Sequence, residues 1–138
     1  MSLLKARESV MKKFIPHLRE HGLSPQQWRV LRALYDHTGG LEMSVLSERC
    51  YLLMPSLSRI IQNLDGRDLI TRSTSQQDQR RSIITLSHDG KALVELIAPQ
   101  SEARYEHITQ AFGYGKLELL YELLDELVEK LEDHPSDH

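Results

Sequence analysis

The sequence predicts a mainly α chain with a small β hairpin, arranged as a winged helix-turn-helix with N- and C-terminal dimerisation helices. Three observations predict it. Two short helical segments meet at the break "YLLMP"; two β-rich runs, "LITRS" and "SIITL", flank the polar stretch "TSQQDQRR"; and apolar residues recur at three- and four-residue intervals at both ends of the chain.

The first helix is read from "LLKARESVMKKFIPHL", where Leu3, Leu4, Arg7, Val10, Met11, Phe14 and Leu18 share one face, so that an arginine interrupts an apolar stripe. The second begins with Ser24 as N-cap and Pro25 at the first helical position, runs through Trp28, Leu31 and Tyr35, and stops at Gly39-Gly40. After a short extended link, "MSVLSERC" forms a third helix, and Pro55 opens a fourth that reaches about Arg67. Leu57, Ile60, Ile61 and Leu64 give that helix its packing face, while Ser56, Ser58, Arg59, Gln62 and Asn63 face elsewhere. The hairpin follows. From Ser87 a capped helix should bend or end near Pro99, and a last helix carries Leu117, Leu120, Leu124, Leu127 and Leu131 on one stripe. A small domain does not readily cover such a stripe alone, so pairing between chains is expected. Residues 1–138 thus form one protomer, with dimerisation helices at 1–22 and 100–133 and a winged helix-turn-helix region with its connecting helix at 24–99. The C-terminal "EDHPSDH" reads as disordered.

A chain of 138 residues, 40% hydrophobic and 27% charged, fits one globular domain or one protomer and excludes a large multidomain enzyme. The longest apolar run, "CYLLM", cannot cross a bilayer and no leader opens the chain, so a cytoplasmic protein without membrane association is expected. Cys50, the single cysteine, reads as a small buried hydrophobe, with a redox-sensing thiol as the alternative. The net charge of −3 is unevenly spread: residues 55–91 carry six positive and four negative groups, or +2, and residues 116–138 carry two positive and eight negative, or −6.

That local basic excess points to nucleic acid. A helix in the major groove needs exposed donors and acceptors, and cations beside it must neutralise phosphates. Ser56, Ser58, Arg59 and Gln62 meet the first need; Arg72, Arg80, Arg81 and Lys91 meet the second. A solvated helix face with a charged loop is the alternative for any one of these residues, and the helix-break-helix-hairpin order favours duplex DNA.

"LITRSTSQQDQRRSIITLS" resembles the wing of the MarR regulators, whose pattern is Asp-x-Arg followed by a strand ending in Leu-Thr; Asp78, Arg80 and Leu86 match, with Ser87 in place of Thr. The resemblance implies that Asp78 holds the wing, that Arg80 and Arg81 approach the minor groove, that the preceding helix enters the major groove, and that the first and last helices dimerise. "LLKARESVMKKFIPHLREHGLSPQQWRVLRAL" is similar to the branch that represses homoprotocatechuate and related aromatic-acid catabolism. One departure stands in "GRDLI", where Asp68 fills a glycine slot; a left-handed conformation there is less favourable for Asp than for Gly but accessible, which leaves the entry angle of the hairpin open.

Arg7 on its apolar stripe calls for an anion. A carboxylate would serve, from Glu8, Glu20 or the acidic C-terminal helix. Trp28 and Arg29 suggest another occupant, because an aromatic wall and two guanidinium forks suit a planar aromatic carboxylate, and the family resemblance implies such an effector between the first two helices and the DNA-binding lobe. Trp28 as plain core is the alternative.

Other signals carry less. His17 and His21 stand one turn apart but show no third ligand, so they read as surface histidines and no metal is assigned. "GYGK" lacks phosphate-loop spacing, and no nucleophile, base and orienter are arranged together, so neither an enzyme nor a cofactor is expected. The expected protein is a homodimeric repressor of a pseudo-palindromic operator, released by a small aromatic acid. A regulator of another signal (stress, antibiotic or metal) and a helical protein-interaction module are the competing readings.

Overall fold

The computed structural model describes residues 1–74 and 81–132. Its element order is α1 (Ser2–Glu20), α2 (Pro25–Tyr35), β1 (Leu41–Glu42), α3 (Met43–Cys50), α4 (Met54–Gly66), β2 (Ile70–Thr74), β3 (Ser82–Leu86), α5 (His88–Phe112) and α6 (Tyr114–Glu132). Among the described residues, no helix is long and apolar enough to cross a membrane.

The chain divides into two compact units, Met1–Ser101 and the segment from Glu102 onward. The core of the first is built from Val30, Leu31 and Leu34 of α2, Leu46 and Cys50 of α3, Leu57, Ile61 and Leu64 of α4, Ile84 of β3, and Val94 and Ile97 of α5, each nearly or fully buried. Three elements contribute to this core within fewer than forty residues, which is how a short chain encloses an apolar centre. The C-terminal half of α1 packs into this unit, with Phe14, His17 and Leu18 buried, while residues 1–10 are exposed throughout.

Ser24 caps α2 as expected: Gln27 N donates to Ser24 Oγ at 3.1 Å and Ser24 N donates to Gln27 Oε1 at 2.9 Å, closing a reciprocal capping box. Gln27 also donates through Nε2 to Asn63 Oδ1 at 2.9 Å, tying the start of α2 to α4.

Three helices end in the same way, with one residue in the left-handed region and two backbone bonds folding back on the last turn. After α1 the residue is Gly22 (φ 69), with Leu23 N bonded to Leu18 O; after α3 it is Tyr51 (φ 55), with Leu52 N bonded to Ser47 O; after α4 it is Asp68 (φ 59), with Leu69 N bonded to Leu64 O. Asp68 therefore takes the conformation its glycine slot demands. Ser87 compensates, donating through Oγ to Asp68 O at 2.7 Å. The same Oγ accepts from Gly90 N at 3.0 Å and caps α5.

The sheet is antiparallel in the order β1-β3-β2, with Arg72 opposite Ile84 in the hairpin and Leu41 opposite Ile84 on the other edge. The expected two-stranded hairpin is thus a three-stranded sheet, and the "extended link" is its third strand. Gly40 makes the addition feasible: at φ 90, a Cβ there would meet Ile83 Cγ2 and Thr85 Cγ2 at 2.6 Å. Pro99 lies inside α5 rather than at its boundary, and the helix continues to Phe112.

Gly90 packs so tightly that a Cβ would stand 2.0 Å from Leu69 O. The turn joining α4 to β2 and the start of α5 have no room to part without losing the Ser87 bonds. Gly90→Ala is expected to lower stability by about 2 to 3 kcal/mol, because overpacking against backbone outweighs the ~1 kcal/mol gain in helix propensity. Urea denaturation checks it; an unchanged midpoint would mean that the two segments slide apart freely.

The second unit holds the C-terminal part of α5 and α6, joined at Gly113 (φ 108), where Tyr114 Oη donates to Glu106 Oε1. The carboxylate accepting that bond raises the Tyr114 phenol above its ordinary pKa. No described residue of α6 is buried within the protomer.

Candidate DNA interface and effector site

In α4, Leu57, Ile61 and Leu64 face the core, while Ser56, Arg59 and Gln62 are exposed and Ser58 is half-buried. The helix starts beside the turn of the helix-turn-helix, and that turn is held firmly. Arg29 Nη1 of α2 donates to Cys50 O at 2.5 Å, and Ser47 Oγ donates to Leu52 O at 2.5 Å. Tyr51 is a bulky residue in the left-handed region, at a cost of roughly 1–2 kcal/mol, and these bonds offset it. The angle between α3 and α4, which decides how α4 is presented, is thereby fixed from α2.

Arg72, midway along β2, and Arg81, just before β3 at the tip side of the hairpin, are both exposed. Each meets a carboxylate: Arg72 Nε lies 4.0 Å from Asp65 Oδ2, and Arg81 Nη1 lies 3.4 Å from Glu42 Oε1. These are exposed pairs of small net energy. Lys91, at the start of α5, is exposed too. Asp78 and Arg80, expected as wing support and DNA contact, lie outside the described residues.

Arg7, Trp28 and Arg29, the three residues expected to hold an effector, each have a different partner. Arg7 is exposed in the protomer and pairs with the adjacent Glu8 at 3.2 Å. Arg29 is half-buried and holds the Cys50 carbonyl, so its guanidinium braces α3. Trp28 is half-buried, and its neighbour is Arg32, whose Cζ lies 6.0 Å from the ring centroid. That distance is within cation–π range. Sequence reasoning missed Arg32, although its position four residues after Trp28 places both on one helical face.

A separate open cleft of ≈ 200 Å³ is lined by Leu34, Tyr35, Thr38, Leu86 and Lys91. It falls below the ~300 Å³ lower bound of typical ligand pockets. Cys50 is fully buried, and burial raises its thiol pKa against the opposing pull of Arg29 and Arg49. A protonated, enclosed thiol matches the buried-hydrophobe reading and not a redox sensor. His17, expected at the surface, is 1% exposed. The stripe that buries Phe14 and Leu18 carries it inward, and Ser101 Oγ of α5 lies 3.4 Å from its Nε2.

Residues 21–81 match the family model described as MarR family. Over 96% of its length, and 90% of the relative's, the chain is 36% identical to the HTH-type transcriptional regulator FarR of Neisseria gonorrhoeae. It is 33% identical to the homoprotocatechuate degradative operon repressor of Escherichia coli, over 100% of this chain and 95% of that one. Among solved structures, NadR in complex with 4-hydroxyphenylacetate superposes with a TM-score of 0.78 at 36% identity, covering 91% of this chain and 89% of that one. FarR is named as a transcriptional regulator and the Escherichia coli relative as an operon repressor. With matches of this strength across nearly its whole length, the chain belongs to the MarR family of transcriptional regulators.

Proposed function

We propose that the protein is a homodimeric repressor that binds a pseudo-palindromic operator in the cytoplasm and leaves it when a small aromatic carboxylic acid binds. The supporting observation is the pairing of Trp28 with Arg32 on α2, the helix that also braces α3 through Arg29. An effector engaging that helix acts on the element that sets the angle of α4.

Trp28 supplies an aromatic wall, and Arg32 supplies a guanidinium for a carboxylate or a ring face. Arg7 is a second cation for the carboxylate. It lies among Leu3, Leu4 and Val10 on an exposed stripe that a second protomer would cover. The relatives named for homoprotocatechuate degradation and solved with 4-hydroxyphenylacetate support a hydroxyphenylacetate-class effector and an aromatic-acid catabolic operon as the target. The effector must favour the conformation that does not fit DNA, since equal affinity for both states shifts nothing.

DNA enters through Ser56, Ser58, Arg59 and Gln62 for base edges and through Arg72, Arg80 and Arg81 for phosphates. Two copies of α4 must sit about one helical turn of DNA apart, ~34 Å, which requires the dimer. Leu117, Leu120, Leu124, Leu127 and Leu131 on α6 supply the apolar surface for it.

Calorimetric titration with 4-hydroxyphenylacetate tests the effector assignment, run beside operator release. Arg32→Ala and Arg7→Ala are each expected to keep operator affinity and lose about tenfold or more in ligand affinity, equivalent to a charged hydrogen bond of roughly 1.5–3 kcal/mol. Undiminished ligand affinity in both variants would remove this site from the account.

A further inference from the structure

Three metal-ligating side chains that no DNA or effector contact uses meet at the C-terminal end of α1. His17, Glu20 and His21 each offer one ligand atom, and these atoms lie within 4.8 Å of one another. The two imidazoles stand four residues apart on one helical face, edge to face, with ring centroids 5.8 Å apart. His17 is buried and lies against Ser101, His21 is half-buried and Glu20 is exposed, so the group has a fixed floor and an open mouth.

Two imidazoles and a carboxylate form the nitrogen–oxygen donor set that suits zinc and similar divalent ions, and a three-ligand site leaves one position for water. Tetrahedral ligands about 2.1 Å from zinc stand roughly 3.4 Å apart. With every pair already within 4.8 Å, none has to close by more than about 1.4 Å, which solvent-facing Glu20 and half-buried His21 can accommodate by rotamer adjustment. The backbone favours a cation here as well. The end of α1 carries the negative pole of the helix, and Arg67 already exploits it, donating to Gly22 O at 2.9 Å and His21 O at 3.3 Å.

We propose that His17, Glu20 and His21 form a site for one zinc-class divalent ion per protomer. Bound there, the ion clamps the last turn of α1. Arg67, the C-cap residue of α4, grips that same turn, so the ion steadies the contact between α1 and the end of the DNA-reading helix.

The test uses the untagged full chain, stripped with a chelator and titrated with zinc chloride in competition calorimetry. One ion per protomer is expected, bound at micromolar affinity or tighter. Glu20→Gln and His21→Gln should each weaken binding at least tenfold with the helical circular dichroism unchanged. His37→Gln, and joint replacement of His134 and His138 by glutamine, should leave it unaltered. Zinc should also raise the melting temperature of the wild type and not of His21→Gln, since an ion that binds only the folded site stabilises it by mass action. The proposal is overturned by an absence of saturable binding, by affinity that survives both Glu20→Gln and His21→Gln, or by binding lost only with His134 and His138.

Discussion

Leu127→Asp is expected to convert the dimer to monomer at micromolar concentration and to abolish operator binding. All the described α6 leucines except Leu117 and Leu124 are exposed in the protomer, with Leu127 at 44% and Leu131 at 69%. Tyr121 and Val128 are exposed as well, so the apolar surface of α6 extends beyond its leucines. In a two-fold interface each substitution occurs twice, and an unpaired buried carboxylate costs about 3 kcal/mol or more per copy. The dimer dissociation constant should then rise by a factor on the order of 10⁴, since every 1.4 kcal/mol is tenfold. Sedimentation equilibrium reads this directly. A Leu127→Asp chain that stays dimeric at 10 µM, on the order of common assay concentrations, places the interface elsewhere.

The second large effect concerns DNA, and two substitutions should fail differently. Arg59→Ala, on the exposed face of α4, is expected to lose about 1–3 kcal/mol of operator affinity per half-site and to relax the base preference there. Arg81→Ala, at the tip side of the hairpin, should weaken operator and random duplex alike and lower the salt slope by roughly one per protomer. The Glu42 partner sharpens the contrast: Glu42→Gln takes away the carboxylate 3.4 Å from Arg81 and with it a local negative charge, and is expected to strengthen non-specific binding. Fluorescence anisotropy on labelled operator and scrambled duplex separates these cases. Identical behaviour of Arg59→Ala and Arg81→Ala on both duplexes would mean that α4 does not read bases.

Much of the fold was legible because it follows from short-range chemistry. Ser24, Pro25 and Gln27 announce the start of α2 in three adjacent signals, and the structure closes the capping box they predict. The packing face of α4 is legible from the spacing of Leu57, Ile61 and Leu64. Asp68 was legible by its slot. Tyr51 was not: its left-handed conformation comes from Arg29 and Ser47 holding the carbonyls around it, and nothing in its residue type forecasts that. A two-residue strand such as Leu41–Glu42 carries no periodicity of its own and exists only through its pairing with β3.

The candidate site was less legible, for a related reason. Sequence spacing tells which residues share a helical face but not which guanidinium finds which partner. Arg29 and Arg32 both follow Trp28 closely; the free carbonyl of Cys50, distant in sequence, takes the first and leaves the second over the indole ring. His17 shows the same limit. Its position on the stripe of Phe14 and Leu18 could have signalled burial, whereas Glu20 as a third ligand emerges only when the end of α1 is built.

Operator affinity of the wild-type chain, measured against salt concentration, reads the phosphate contacts of the dimer. Neutralised phosphates release counterions, so log K should fall linearly with log salt with a slope of about −0.9 per phosphate contact. The three cations per protomer proposed as phosphate contacts, Arg72, Arg80 and Arg81, imply a slope near −5 for the dimer, by that same estimate. A slope of that order on operator DNA, with weaker binding to scrambled duplex, is the expected result; a flat salt dependence, or no duplex binding at low salt, would contradict the account.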